Sequence, residues 1–333
     1  MQTIKLMPNT IEQIQPKSAI LKVEEPFILE CGDTLRNVRI SYTTYGTLNS
    51  EKTNVAWVFH ALTANGNPAE WWPELVGPGK AIDPEDKFVV CANMLGSCYG
   101  TTGPKNYNFP LVTIRDMVNA HKLLKAHLGI ETIHLGIGGS MGGQQLLEWA
   151  VEEPTLFDHI VPLATNAFHS PWGIAFNEAQ RMALENIDSA KGLEAARAIA
   201  MLSYRHYNTY NKTQRDIDQR WDDFSASSYQ RYQGEKLRKR FSVESYYYLS
   251  KAMDSHHVGR HFGSSETALK RIRSKALVIG IDTDILFPPE EQQYIAGLIP
   301  DAKFRLVTSA FGHDGFLTES EQISELIRDF LKA

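Results

Sequence analysis

Cysteine is scarce in this sequence: Cys31, Cys91 and Cys98 are the whole complement of 333 residues. An odd, scattered set without metal-type spacing argues against a disulfide framework and against a structural zinc site. Apolar runs are short as well. No stretch approaches the ~18 consecutive apolar residues of a membrane span. The opening MQTIKLMPNTIEQIQP holds no basic region followed by an apolar one, so a cytoplasmic location is expected. Nor is positive charge in excess, since 34 Lys and Arg stand against 39 Asp and Glu for a formal charge of -5. The electrostatic footprint of a nucleic-acid binder is missing. Repeats, low-complexity tracts and Pro-rich linkers are lacking too. What is present is an ordinary globular composition, 43% hydrophobic and 22% charged, with apolar content for a large core. These absences favour small-molecule chemistry, with neither nucleic acid nor membrane as partner.

Along the chain, PFILECGDTL and NVRISYTTYGTL are rich in β-branched and aromatic residues, and Cys31-Gly32-Asp33 supplies turn chemistry between them. An antiparallel opening hairpin is expected. The texture then changes to short apolar runs, NVAWVFHAL, KFVVCANML and TIHLGIGG, of the length of strands buried on both faces of a parallel sheet. Between the second and third, Ile114, Met117, Val118, His121, Leu124 and Leu128 fall on helical spacing, with Gly129 as the stop. The helix QQLLEWAVEEP and the strand FDHIVPLAT continue the alternation to about residue 165. From about 168 to 265 no buried strand is evident. Helix-like stretches such as NEAQRMALENI, GLEAARAIAMLSYRHY and FSVESYYYLSKAMD take over. The sheet pattern returns with KALVIGI and AKFRLVTSA, and ISELIRDFLKA closes the chain as a helix. The expected organisation is a core over 1–166, a helical lid insertion over 167–266, and the rest of the core over 267–333.

One junction stands out. In GIGGSMGGQQLLEWA, Gly138-Gly139-Ser140-Met141-Gly142 matches G-x-S-x-G between a strand-like and a helix-like run. In that elbow a serine is exposed on a strained strand-to-helix turn, and glycines flank it because neighbouring backbone passes too close for a Cβ. The segment lacks the lysine of a phosphate loop and the acidic placement of a dinucleotide fingerprint. A nucleophilic serine needs a base and an orienter, which come after an elbow serine in the order acid, then histidine. KALVIGI leads to Asp282-Thr283-Asp284, and AKFRLVTSA leads to Phe311-Gly312-His313-Asp314. His313 is therefore the candidate base, with a carboxylate from the 282–284 loop to fix its tautomer. His121 and His127 fall in a helix, His134 in a strand, and His206, His256, His257 and His261 in the insertion; all are assigned structural or surface roles. An acyl-transfer serine also needs oxyanion donors. The N–H of Met141 is one candidate, and the loop that ends AWVFHALTAN offers that of Leu62.

Further segments carry a resemblance. FHALTANGNPAEWWPELVGPGKAID, VVCANMLGSCYGTTGP, GGSMGGQQLLEWA, DTDILFPPEEQQ and SAFGHDGFL together resemble the homoserine O-acetyltransferase family of the α/β-hydrolase fold, in that family's order, from about residue 30 to the end. The GTTGP and GHDGFL segments are far more specific than G-x-S-x-G. The resemblance implies a mostly parallel central sheet flanked by helices, with an inserted helical lid. It makes Ser140 the acylated nucleophile, Asp284 the triad acid with Asp282 as runner-up, and His313 the base. It also implies an arginine of the insertion and an aspartate beside the histidine as the amino-acid grip. Asp314 falls on the latter, and Arg205 in MLSYRHY fits the former better than Arg197. The sequence departs from the family where TANGN stands in place of a Thr-Gly-Asp run, and the insertion around NIDSAKGLEAAR is short.

The same resemblance implies a two-step exchange: acetyl-CoA, a co-substrate rather than a bound cofactor, acylates Ser140, and L-homoserine removes the acetyl group for methionine synthesis. No permanent cofactor and no metal are implied, and a homodimer through the lid is. Succinyl transfer, a serine acceptor, a plain esterase and a non-catalytic binding module are the competing readings. Lys236, Arg238, Lys239 and Arg240 form a basic cluster that reads as a solvated helix face, with CoA phosphates as its alternative role.

Overall fold

The computed structural model describes residues 15–186 and 189–332. Residues 1–14 of the opening stretch, and Ile187 and Asp188 at the end of the helix expected at NEAQRMALENI, lie outside the described residues.

Among the described residues one eight-stranded sheet organises the fold. Its strands are Lys17–Val23 (β1), Val38–Tyr45 (β4), Phe88–Ala92 (β6), Val55–Phe59 (β5), Ile133–Gly139 (β7), Phe157–Leu163 (β8), Lys275–Ile281 (β9) and Ala302–Val307 (β10), in that spatial order. All pairs from β6 to β10 are parallel, and β4 runs against both its neighbours. The opening hairpin departs from the sequence expectation. Phe27–Ile28 (β2) pairs with Thr34–Leu35 (β3) for only two residues across a turn closed by Leu29 N–H donating to Asp33 O at 2.8 Å. Asn37, at φ 52, then turns the chain away. The partner of β4 is instead β1, an edge strand whose apolar Ala19 and Ile20 are exposed and whose Leu21 and Val23 are only half-buried.

The short apolar runs become strands covered on both faces. In β5, Val55, Trp57 and Phe59 enter one apolar cluster and Ala56 and Val58 the other, as the two-residue pleat requires. Helices complete both layers. Pro68–Trp71 (α1), Ile114–His127 (α2) and Met141–Glu152 (α3) belong to the first half of the chain, and α2 opens with a capping box between Thr113 and Asp116. Between β8 and β9 come Pro171–Asn186 (α4), Ser189–Tyr204 (α5), Tyr207–Thr213 (α6), Ser225–Arg238 (α7), Val243–Asp254 (α8) and Ser265–Leu269 (α9). After β9 come Pro289–Leu298 (α10), a 3-10 turn at Gly312–Asp314, Gly315–Thr318 (α11) and Ser320–Lys332 (α12). Ile323, Ile327 and Phe330 bury one stripe of α12 in the second cluster. Among the described residues no helix is long and apolar enough to cross a membrane. Because the central strands are parallel, the segments after β5, β7, β9 and β10 all emerge at one edge of the sheet. A crevice at the carboxyl ends of such strands is where open α/β sheets place their ligands.

Candidate active site

Ser140 sits between β7 and α3 at φ 57 and ψ -128, a conformation that costs an L-residue on the order of 1–3 kcal/mol. Its surroundings enforce it. Ser140 N–H donates to Leu163 O at 3.0 Å, and its carbonyl accepts from Gly143 N–H at 2.9 Å and Thr165 Oγ1 at 2.8 Å. A Cβ on Gly142 would stand 2.2 Å from the Phe59 carbonyl oxygen, so α3 rests on β5 only because that position is glycine.

His313, in the turn after β10, meets this serine across 173 residues of chain. Its Nε2 lies 2.9 Å from Ser140 Oγ, and its Nδ1 lies 2.7 Å from Asp284 Oδ2. Asp284 is held by its other oxygen, which accepts from Leu286 N–H at 2.8 Å and Phe287 N–H at 2.9 Å. The imidazole packs among Phe287, Phe316 and Tyr204, at ring distances of 5.0, 5.2 and 5.6 Å. Asp282, the runner-up, turns elsewhere: its Oδ1 accepts from Ser309 N–H at 2.9 Å. Thr283 continues that seam, donating to Ser309 O at 2.7 Å and accepting from Gly312 N–H at 3.0 Å. Two neighbouring residues thus stitch the histidine loop while Asp284 reaches the histidine. Hydroxyl, imidazole and carboxylate in this line can move a proton from serine to histidine while the carboxylate steadies the imidazolium.

Leu62 lies just beyond the end of β5, and Met141 opens α3. Among the described residues neither N–H donates to a protein acceptor, as expected at a helix start for Met141. His60, which sequence reasoning did not single out, anchors the Leu62 loop: its Nε2 accepts from Met94 N–H at 3.0 Å, and its carbonyl accepts from Gln145 Nε2 at 3.3 Å. Burial lowers its pKa to about 4, so the ring is neutral and available as an acceptor.

Ser140 and His313 open into a cavity of about 460 Å³, whose wall includes Leu62, Trp71, Tyr99, Tyr204, Arg197 and Asp314. Nothing in the sequence around Trp71 or Tyr99 marks them as cavity residues. Lys236 and Arg240 of the basic cluster also line it, while Arg238 and Lys239 do not. Arg205 Nε lies 2.7 Å from Asp314 Oδ2, so the two expected grip residues are together. The Arg205 guanidinium belongs to an adjoining hollow of about 280 Å³ with Thr209, Tyr210 and Phe311. Arg197, the weaker candidate, is the arginine on the wall of the serine cavity. Of the remaining histidines, His121 is buried in α2 with Nε2 3.0 Å from Gln145 Oε1, and His256 is buried with Nε2 3.0 Å from Asn166 O.

A parallel sheet with a serine elbow after one strand, then an acid and a histidine after later ones, defines an α/β hydrolase in fold. Residues 58–320 match the family described as alpha/beta hydrolase fold. A homoserine O-acetyltransferase of Cyclobacterium marinum is 47% identical, with 96% of each chain covered. Among solved structures, the homoserine O-acetyltransferase from Staphylococcus aureus superposes with a TM-score of 0.85 at 27% identity over 96% of each chain. Esterase E22 superposes at 0.88, with 24% identity over 95% of this chain and 100% of its own, a likeness of fold. The chain belongs to the homoserine O-acetyltransferase family.

Proposed function

We propose that this protein transfers the acetyl group of acetyl-CoA to the hydroxyl of L-homoserine through an acyl-enzyme on Ser140. The observation that carries this reading is the Ser140, His313 and Asp284 line at the floor of a cavity large enough for an acyl donor and an acceptor, in a chain of this family. Ser140 Oγ attacks the thioester carbonyl and gives its proton to His313 Nε2, while the N–H groups of Leu62 and Met141 face the oxyanion. The C–S bond breaks, and His313 returns the proton to the departing thiolate. Homoserine's hydroxyl then gives its proton to His313, attacks the acetyl carbon, and releases O-acetylhomoserine as Ser140 regains a proton.

The acceptor is a zwitterion. Arg205 and Asp314 are the complementary pair for it, a guanidinium for the α-carboxylate and a carboxylate for the α-ammonium, with Arg197, the guanidinium on the wall of the serine cavity itself, as the second candidate for the carboxylate. With no acceptor between them the two charges lie side by side, Arg205 Nε 2.7 Å from Asp314 Oδ2. Arg205→Ala is expected to raise the KM for homoserine about tenfold or more while acyl-enzyme formation changes much less; equal losses in both half-reactions remove that role. The helices between β8 and β9 act as a lid, which matters because water competes for the acyl-enzyme. Exposed Leu202, Tyr207, Ile217, Trp221 and Tyr232 support a homodimer through these helices, and sedimentation of Trp221→Glu beside the parent chain tests it.

The experiment for the main reading is thiol release from acetyl-CoA and from succinyl-CoA, each with homoserine, with serine, and with neither. Release from acetyl-CoA that depends on homoserine is expected. Equal rates without any amino acid identify a hydrolase instead, and no release from either donor removes the proposal.

A further inference from the structure

The basic cluster at the end of α7 divides into two pairs. Arg238 Nε lies 2.5 Å from Glu194 Oε1, and Lys239 Nζ lies 2.7 Å from Glu235 Oε1; neither lines the serine cavity. Lys236, in the last turn of α7, and Arg240, in the turn just past its end, both do, on its exposed rim. No ion pair or hydrogen bond engages Lys236 among the described residues. Arg240 meets no carboxylate there either: its guanidinium donates to the Thr63 carbonyl and, at 3.0 Å, to Tyr99 Oη. Those contacts hold the planar group in place and leave N–H donors free. A third cation on the wall, Arg197, packs over the Tyr204 ring at 5.2 Å, again without a carboxylate.

The cavity's own acids offset only part of this. Asp314 is paired with Arg205, which leaves Glu70, whose Oε2 accepts from the neutral Asn65 amide at 3.1 Å, as the one carboxylate of the lining without a cation. Three cations against one free carboxylate leave an excess of positive charge around one opening of a chain whose formal charge is -5. Cations kept unpaired at the rim of a cavity favour an anionic ligand at the mouth and raise its local concentration.

We propose that Lys236 and Arg240 bind the phosphate groups of the acyl donor, so that a nucleotide thioester is held by its diphosphate at the rim while its thiol arm reaches Ser140. This rests on the acyl-transfer reading and assigns the part of the donor that the triad does not touch. Lysine contributes a point charge and arginine a fixed fork, the two usual modes of phosphate recognition. The acyl group itself is not read by these residues, so donor chain length and phosphate recognition separate.

The test compares acetyl-CoA with S-acetyl-pantetheine, which has the same thioester and arm but no phosphate. The preference for acetyl-CoA, as a ratio of kcat/KM values, is expected to fall about tenfold in Lys236→Ala and further with Arg240→Ala added. Arg238→Ala and Lys239→Ala are expected to keep the parent ratio. The KM for acetyl-CoA is expected to rise with ionic strength in the parent chain and less so in Lys236→Ala. A ratio unchanged in the double variant overturns the proposal, because Lys236 is exposed and unpartnered and its loss does not unfold the chain. Calorimetric titration of Ser140→Ala with desulfo-CoA, with and without Lys236→Ala, reads the site without turnover. If the parent chain transfers acetyl from neither donor, the acyl-transfer reading fails. The phosphate site fails separately if that titration shows equal affinity in both backgrounds.

Discussion

At Ser140 the backbone angles and the chemistry pull in different directions. Glycine takes φ 57, ψ -128 freely, whereas serine holds it only because the bonds to Leu163, Gly143 and Thr165 leave no alternative. Ser140→Gly is therefore expected to be more stable than Ser140→Ala by about 1 kcal/mol, the strain relieved exceeding the extra entropy of glycine in the unfolded chain. Both should lose acyl transfer by about a thousandfold or more. Thermal unfolding of the two variants side by side checks this, and an alanine variant as stable as the glycine one would show that the turn stores no strain. The same scale separates the two aspartates. Asp284→Asn should lower kcat by about 10⁴-fold, since an amide in place of the carboxylate favours the wrong tautomer of His313. Asp282→Asn keeps an oxygen for Ser309 N–H and should retain most of the rate. Sequence left this choice to resemblance because the two residues differ only in which way a three-residue loop turns.

At the level of elements, the elbow works because α3 can lie directly on β5. Gly142→Ala puts a methyl 2.2 Å from Phe59 O and 2.9 Å from Phe59 C, backbone atoms of a central strand that cannot yield. The expected result is a loss of about 1–3 kcal/mol in stability together with a fall in kcat larger than unfolding explains; a folded variant with the parent rate would sink the close-packing argument. How much the sequence disclosed depends on how local each signal is. β5, β6 and β9 are covered on both faces and read as apolar runs, β7 and β8 are apolar apart from His134 and Asp158-His159, and the elbow is a five-residue pattern. β1 was missed because its residues KSAILKV lie at an exposed edge, and the partner of β4 could not be inferred without it. The meeting of Arg205 with Asp314 is likewise illegible locally. It depends on Gly312, at φ 67, where a Cβ would be 2.9 Å from His206 N and 3.1 Å from Tyr204 O. That contact presses the histidine loop against the end of α5, and no spacing rule encodes it.

For the whole molecule, buried titratable groups away from the triad set the acid limit of stability. His60, His121 and His169 are lowered to about 4 and His256 to about 3, each chiefly by burial. In the unfolded chain they titrate near 6.5, so between about pH 4 and 6.5 unfolding takes up protons and stability rises with pH. Carboxylates raised by burial act in the opposite sense, Asp116 and Asp254 among them and two most strongly. Glu148 on α3 and Glu291 on α10 are raised to about 7, again chiefly by burial. Arg115 pairs with Glu148 and pulls it down, but Glu152 and Glu30 share the same guanidinium and burial prevails. Unfolding releases their protons from about pH 4.5 to 7, which removes stability as pH rises. Among the strongly shifted groups, four histidines against two carboxylates give a net climb in stability up to about pH 6.5. Above that only the carboxylates still titrate, and the profile levels or dips slightly by pH 7. Urea midpoints at pH 4.5, 5.5, 6.5 and 7.5 are expected to trace this shape, and a midpoint highest at pH 4.5 would refute it. His121→Asn removes one of the four titrations and should flatten the climb, whereas an unchanged slope would place the acid sensitivity outside the buried histidines.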